Sequence, residues 1–349
     1  MKNYDSDLSW LLYRGLFSAA ACYNLSFALL SGCFPSWFFQ LFGVKPPSEP
    51  FSWSLVAGLI AIFGLLYAYA AIVPKHADWA ITCGLATKVL GPVGWLVGVA
   101  IGEQSPRLFP LMLVGDILWW FPFLFYLLRN SNWRDSVLTW SSVALHLLAC
   151  VGLLLVSHGT EANGDFAARQ RWIQENCGLW TIVWTSWSLS SISLLAFCVV
   201  WVGRIHQSIF RHTWTIVGLI LIAIGVMVDL CGETVLVVQT TAEKLDADRF
   251  HHASRLYQWL SPAVANGLYC AAGLILSGVS WHIGWLRGGL GLAGFAMWVV
   301  GLGLTIATIS NHLPSMTLTG AGVMLLFLPW AAAIGWKMRP VSLQSPVDN

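Results

Sequence analysis

The chain has 349 residues and a formal net charge of +2; apolar residues make up 57% of it and charged residues only 10%. Soluble domains are typically about 25% charged, so this composition excludes an ordinary soluble globular domain, a disordered chain and a coiled coil. No tract of basic residues is present, which argues against a nucleic-acid partner because proteins that bind nucleic acid concentrate Lys and Arg. The sequence therefore predicts a protein of the lipid bilayer.

Ten apolar segments are long enough to cross a bilayer, which takes about 20 residues in a helix. They lie near residues 10–33, 52–73, 79–101, 108–128, 136–157, 177–203, 214–240, 258–280, 289–309 and 316–336. Because lipid offers the backbone no hydrogen-bond partner, each segment is expected to be a helix. The first segment contains Arg14 and Asn24, and its charges are not those of a signal peptide. We therefore predict an all-α polytopic transmembrane helix bundle of about ten spans.

The polar segment 129–135 is the best candidate for a boundary within the chain. It predicts a four-span unit at residues 1–130, a six-span unit at 131–340 and a short cytoplasmic tail at 341–349. Within the first unit, the aromatic segment 36–43 lies between two prolines and is expected to lie in the membrane interface rather than to cross it. No sequence repeat relates the two halves, so the inverted repeats of many transporters are not indicated.

Lys and Arg are distributed unevenly between the predicted connections. With ten spans the two termini share one side of the membrane, and this side holds more of the basic residues and fewer of the acidic ones. Cytoplasmic connections carry an excess of Lys and Arg. We therefore expect an integral membrane protein with both termini in the cytoplasm.

Lys88 and Asp116 are charged residues inside the third and fourth spans. Such residues cost about 2.5–3.5 kcal/mol each on insertion scales, so they usually face a partner or a cavity. The two spans form an antiparallel hairpin that brings both side chains to a similar depth. Pro92, which has no N–H, is expected to free the carbonyl of residue 88 at the same level. The pair is interpreted either as an ion pair that holds the hairpin together or as a proton- or ligand-linked site.

Asp229 and Glu233 lie four residues apart in the seventh span and therefore share one face of a helix. Two like charges this close in a low dielectric repel, which favours a bound proton or cation. The eighth span returns to the same depth with Asn266 and Tyr269, whose polar groups are able to bond a carboxyl. This cluster is interpreted as a cation, proton or polar-ligand site. The alternative is that Glu233 pairs with an arginine of the following loop while a protonated Asp229 bonds to Asn266.

The 21 tryptophans fall into two groups. Many lie near predicted membrane interfaces, where belts of aromatic residues are expected. Trp119, Trp120, Trp184 and Trp187 lie within spans and are candidates for lining a cavity that holds a lipophilic ring or chain. The simpler interpretation is that they fill contacts between helices.

Motifs of catalysis and metal binding are missing from the sequence. There is no nucleophile elbow, no phosphate-binding loop and no zinc-protease signature. Acidic residues and histidines cluster at 246–252, but their spacing matches no defined metal site. His146, inside the fifth span, has no second histidine at its depth, which argues against a b-type haem. We therefore assign no catalytic residue and no metal ligand, and the sequence does not identify a cofactor.

Three functions remain for such a chain. A transporter or binding protein for a small lipophilic or protonatable molecule is favoured, because the intramembrane charges suit it. The first alternative is a non-catalytic structural subunit of a larger membrane complex, and the second is an intramembrane lipid-modifying enzyme. The expected partners are the lipid bilayer and either other membrane subunits or a lipophilic ligand.

Overall fold

The structure is a computed structural model in which the described part of the chain is helical. It describes residues 2–46, 50–129, 131, 133–160, 165–205, 209–242 and 246–338. No strand occurs within these ranges. The predicted tail at residues 341–349 lies outside the described residues.

Ten helical segments of the described ranges are long and apolar enough to cross a membrane. They are Trp10–Cys33, Trp53–Ile72, Asp78–Ala100, Pro106–Leu127, Arg134–Leu155, Cys177–Ile205, Thr213–Thr240, Ala247–His282, Gly288–Ile309 and Leu313–Lys337. Each coincides with one of the ten segments predicted from the sequence. The all-α polytopic bundle is therefore confirmed, and the chain is a multi-pass membrane protein.

The chain divides into two compact units, Met1–Asn130 and Ser131–Asn349. The helices of the first unit are α1 (Lys2–Cys33), α2 (Pro35–Leu41), α3 (Pro50–Ile72), α4 (Asp78–Ala100), α5 (Phe109–Gly115) and α6 (Trp120–Leu127). Helix α1 packs along α3, and α4 packs against both α3 and α6.

Aromatic rings form the core of the first unit. The side chains of Phe17, Tyr67, Phe123 and Tyr126 are fully buried. The ring of Phe17 lies 5.0 Å from that of Tyr126, and the ring of Tyr67 lies 5.2 Å from that of Phe123, both edge to face. Such pairs contribute about 0.5–1.5 kcal/mol beyond the area that they bury, so these contacts fix how α1, α3 and α6 pack.

The aromatic segment 36–43 folds largely as the short helix α2. Seven residues of helix are about 10 Å long, so α2 does not cross a bilayer. Phe38 and Phe39 are buried, and the Phe39 ring lies 4.9 Å from that of Trp53, whereas Trp37 is exposed. The location of this helix in the membrane interface stays a prediction.

The fourth span differs from the single helix that its apolar length predicts. Helix α5 ends at Gly115, a short 3-10 turn covers Ile117–Trp119, and α6 begins at Trp120. Between them Asp116 has φ −128° and ψ −59°, outside the helical region. Pro122 contributes to the break because it cannot donate to the carbonyl four residues before it.

The second unit contains the remaining helices. These are α7 (Arg134–Leu155), α8 (Ser157–Thr160), α9 (Phe166–Glu175), α10 (Cys177–Ile205), α11 (Ile209–Thr240), α12 (Ala247–Gln258), α13 (Asn266–His282), α14 (Gly288–Ile309) and α15 (Leu313–Lys337). Helix α10 packs against α7 and α11, α11 packs against α13, and α15 packs against α14 and α7. Most side chains of α10 are buried, so this helix forms the centre of the unit.

The eighth span begins earlier than its apolar segment, 258–280, predicts. The Asp246 carboxylate accepts a hydrogen bond from the Arg249 N–H at 2.8 Å and caps α12. A seven-residue π-helix, Trp259–Ala265, then joins α12 to α13 and contains Pro262. Wide π-turns are rare and often occur at functional sites, and this one packs directly against α11.

Candidate functional site

The side chain of Lys88 is held at the centre of the first unit by three acceptors. Its Nζ lies 3.0 Å from Asp116 Oδ1 and donates to Asn24 Oδ1 at 2.9 Å and to the Gly115 carbonyl at 2.6 Å. An ammonium has three hydrogens to donate, and each therefore has an acceptor. Lys88 and Asp116 therefore form the ion pair that their depth predicts, and a role of this pair in binding a proton or a ligand stays a prediction.

The break in the fourth span supplies part of this arrangement. Gly115 is the last residue of α5, and carbonyls at a helix C-terminus carry partial negative charge that favours a cation. A Cβ at Gly91 would lie 3.0 Å from Asp116 Oδ2, so glycine at this position of α4 lets the carboxylate approach. Asn24 was visible in the sequence only as a polar interruption of the first span; its acceptor role depends on how α1 packs.

The tryptophans that follow Asp116 donate to backbone carbonyls. Trp120 Nε1 donates to the Lys88 carbonyl at 2.8 Å, and Trp119 Nε1 donates to the Val114 carbonyl at 3.1 Å. The Lys88 carbonyl is the one that Pro92 leaves without its helical donor. The indole of Trp120 therefore replaces the missing N–H, while α4 continues through Pro92 without interruption.

Replacing Trp120 with phenylalanine is expected to lower the free energy of unfolding by about 1 kcal/mol through loss of this hydrogen bond. In a Pro92→Ala background the backbone regains an N–H at position 92 that can donate to the same carbonyl, so the cost of Trp120→Phe is expected to be smaller. A double-mutant cycle by unfolding in mixed detergent micelles measures the difference. Equal costs in the two backgrounds would show that the indole does not compensate for the proline.

Asp229 and Glu233 lie together in the core of the second unit. They are 4% and 0% exposed. Ser191 Oγ donates to Asp229 Oδ2 at 2.7 Å, and the Tyr269 hydroxyl donates to the same oxygen at 3.1 Å. The Ser188 hydroxyl contacts Glu233 Oε2. Antiparallel packing of α10 against α11 thus places one serine opposite each carboxyl.

The acidic pair is only partly satisfied by these contacts. Asp229 Oδ1 and Glu233 Oε1 are buried and have no hydrogen-bond partner. Across the ranges that the structure describes, no lysine, arginine or histidine forms an ion pair with either carboxyl. The Nε of Arg249, in the first turn of α12, lies 3.4 Å from Asp246 Oδ2. The alternative in which Glu233 reaches the interface is therefore wrong, because the side chain is fully buried.

Asn266 does not contact the carboxyls. Its Nδ2 donates to the Gly301 carbonyl at 2.7 Å and to Thr305 Oγ1 at 3.0 Å, both on α14. Three residues along a helix amount to a rotation of about 300°, which turns Asn266 about 60° away from the direction of Tyr269. The predicted hydrogen bond from Asn266 to a carboxyl is therefore wrong. Of the four residues predicted for this cluster, the structure brings together Asp229, Glu233 and Tyr269.

Several polar residues of the cluster were missed by sequence reasoning. Ser188 and Ser191 belong to a run of five serines within residues 186–193, an unusual density for an apolar helix. That density was the signal available in the sequence. Tyr257 of α12 and Ser261 of the π-helix also face the carboxyls.

The two candidate tryptophans of α10 differ in burial. Trp184 is 2% exposed, its ring lies 5.0 Å from that of Tyr257, and its Nε1 has no hydrogen-bond partner. Trp187 is half-buried. Trp184 therefore belongs to the surroundings of the acidic pair, and its role in lining a cavity stays a prediction.

Other ionisable groups of the second unit have ordinary packing roles. The Nδ1 of His146 lies 2.8 Å from the Ser142 carbonyl, and its ring packs 4.5 Å from that of Phe327. The five cysteines of this unit, Cys150, Cys177, Cys198, Cys231 and Cys270, are free thiols. Within the described residues, no group of three or more His, Cys, Asp or Glu side chains is placed to hold a metal ion.

The chain matches no protein-family model, no curated protein and no solved structure. Its class follows from its own fold, which is that of a multi-pass integral membrane protein. Two polar clusters lie inside its apolar helices, one around Lys88 and Asp116 and one around Asp229 and Glu233.

Proposed function

We propose that the protein is a transporter or binding protein for a small protonatable or lipophilic molecule, and that Asp229 and Glu233 bind the proton or cation on which this activity depends. The observation that carries the proposal is the burial of two carboxyls one helical turn apart, each with one oxygen left without a partner. Buried carboxylates are tolerated only with compensation. A bound proton or cation supplies this compensation by neutralising a carboxylate.

The contrast with the first unit supports this assignment. The Lys88 ammonium has an acceptor for each of its hydrogens, which is the expected arrangement for a pair that serves folding. In the acidic pair, Asp229 Oδ1 and Glu233 Oε1 have no hydrogen-bond partner, although Ser261 of the adjacent π-helix faces Asp229. An unsatisfied oxygen on a buried carboxyl calls for an explanation, such as a bound proton or ion.

The same observation favours a transporter or binding protein over the two alternatives. A structural subunit does not need a pair of like charges in its core, because such a pair destabilises the fold that a subunit has to provide. A lipid-modifying enzyme requires a nucleophile or a metal near the substrate. The serine hydroxyls beside the acidic pair are buried and contact carboxyls, so they suit the binding of a proton or a cation rather than attack on a lipid.

The test uses the full-length protein in proteoliposomes with an imposed pH gradient. Uptake of Na⁺ and of tetraphenylphosphonium, one small and one lipophilic cation, is measured alongside internal pH. Wild-type protein is expected to couple uptake of one of these probes to the pH gradient. Asp229→Asn and Glu233→Gln are expected to reduce that uptake to the rate of protein-free liposomes, because each removes an ionisable carboxyl.

Ser193→Ala provides the matched control. Ser193 is a buried serine of the same helix, but its hydroxyl contacts Ser142 and the Ser190 carbonyl instead of a carboxyl. This variant is expected to retain wild-type uptake. Coupled uptake at the wild-type rate in both carboxyl variants would contradict the proposed function.

A further inference from the structure

The contacts of Ser188 limit where hydrogens can lie in the acidic cluster. Its hydroxyl is within hydrogen-bonding distance of Glu233 Oε2 and lies 3.0 Å from the Trp184 carbonyl. A serine hydroxyl has one hydrogen to donate and two lone pairs that accept. The Trp184 carbonyl can only accept. If Ser188 donates to it, the contact with Glu233 needs a hydrogen that comes from the carboxyl.

The contacts of Asp229 indicate that this carboxyl is ionised, in contrast to Glu233. Its Oδ2 receives both the Ser191 hydroxyl at 2.7 Å and the Tyr269 hydroxyl at 3.1 Å. Asp229 thus has two hydroxyl donors, whereas Ser188 is the hydroxyl that contacts Glu233. Two O–H donors directed at one carboxyl oxygen favour the ionised form of that carboxyl.

We propose that the acidic pair holds one proton, that this proton is on Glu233 while Asp229 is the anion, and that Ser188 positions it by donating its own hydrogen to the Trp184 carbonyl. The proposal rests on the proposed function and makes it more specific. The resting cluster then has one negative charge. If a monovalent cation enters and the Glu233 proton leaves to water, the net charge is unchanged.

Because this exchange keeps the net charge of the cluster constant, the class of substrate is a monovalent cation that is exchanged for one proton. Asp229 Oδ1 and Glu233 Oε1, which have no partner in the resting cluster, are the acceptors left for the incoming cation. A divalent cation would change the net charge of the cluster from −1 to zero after loss of a single proton, so the charge would not be conserved in the exchange. An anion would meet the Asp229 carboxylate without any compensating cation among the described neighbours.

Among the residues that the structure describes, no other group in contact with the pair changes charge in the range where carboxyls do. Helix α10 contributes Ser188 and Ser191, the π-helix contributes Ser261, and the ionisable neighbours are Tyr257 from α12 and Tyr269 from α13. Phenols ordinarily ionise only near pH 10. A proton taken up or released by the cluster under mild conditions therefore belongs to one of the two carboxyls.

Infrared spectroscopy of the full-length protein in proteoliposomes locates the proton, because a protonated carboxyl has a carbonyl band that a carboxylate lacks. At mildly acidic pH the band is expected in wild-type protein, is lost in Glu233→Gln and is kept in Asp229→Asn. Loss of the band in Asp229→Asn with retention in Glu233→Gln would overturn the assignment. Retention in both variants, loss in both, or absence of the band from wild-type protein would overturn it as well.

The role of Ser188 is tested by the pH at which the band disappears. Without the hydroxyl that accepts its hydrogen, Glu233 is expected to lose its proton at a lower pH in Ser188→Ala than in wild-type protein. Ser188→Thr keeps a hydroxyl and is expected to restore the wild-type profile, and Ser193→Ala is expected to leave it unchanged. A Ser188→Ala profile identical to that of wild-type protein would exclude Ser188 as the positioning residue.

The two proposals fail in different measurements. Infrared spectra that place the proton on Asp229, together with loss of uptake in both carboxyl variants, would overturn the one-proton assignment and leave the proposed function standing. Spectra as expected, together with uptake that does not depend on either carboxyl, would overturn the proposed function alone.

Discussion

Replacement of Lys88 with methionine is expected to lower the free energy of unfolding by about 3–5 kcal/mol, the usual cost of removing one partner of a buried ion pair. Methionine has a similar length but no charge, so Asp116 loses its cation while the Gly115 carbonyl and Asn24 Oδ1 each lose a donor. Unfolding of the purified protein in mixed detergent micelles, followed by circular dichroism, measures the change.

The double variant Lys88→Met/Asp116→Leu is the matched control. Replacing both members of a buried pair by apolar residues is often neutral or stabilising, so most of the lost stability is expected to return. A double variant no more stable than Lys88→Met would show that the pair does not account for the loss. Restored folding combined with lost cation uptake would instead give Lys88 and Asp116 a functional role.

The variant Ser191→Ala/Tyr269→Phe is expected to lower the free energy of unfolding by about 3–6 kcal/mol. Both hydroxyls donate to Asp229 Oδ2, and hydrogen bonds to charged groups contribute about 1.5–3 kcal/mol each. Adding Asp229→Asn is expected to recover much of the loss, since an amide without donors costs less to bury than a carboxylate. The same unfolding experiment in mixed micelles compares the three proteins.

Ser193→Ala again provides the reference. Its hydroxyl donates to neutral groups only, so its removal is expected to cost about 0.5–1.5 kcal/mol. If the Ser191→Ala/Tyr269→Phe variant is destabilised no more than Ser193→Ala, Asp229 is not the anion of the cluster. This outcome would contradict the charge assignment by a route that does not depend on spectroscopy.

Apolar length and depth within a span were sufficient to predict much of the fold and one of the clusters. The bilayer fixes the length of each span, so ten helices followed from ten apolar segments. The same depth argument paired Lys88 with Asp116, because both lie near the middle of adjacent antiparallel spans. The orientation of the termini and the division of the spans into four and six stay predictions.

Rotation about a helix axis was not predictable in the same way. Depth placed Asn266 and Tyr269 equally close to the acidic pair, yet only Tyr269 turns toward it. The direction depends on packing: a Cβ at Gly225 would lie 2.6 Å from the Tyr269 ring, so this glycine of α11 allows the ring to approach. The contacts of Asn24 and Ser188 could not be predicted either. Their partners, Lys88 and Glu233, lie far away in the sequence, and only the packing of the helices brings them together.

The π-helix at Trp259–Ala265 determines how α13, the rest of the eighth span, is rotated about its axis. A π-turn accommodates one residue more than an α-turn, and one residue corresponds to about 100° of rotation. If the same seven residues formed a regular α-helix instead, α13 would be turned by about that angle relative to α12. Tyr269 would then face away from Asp229. The extra residue of the π-helix therefore rotates α13 so that the Tyr269 phenol faces Asp229 and Glu233.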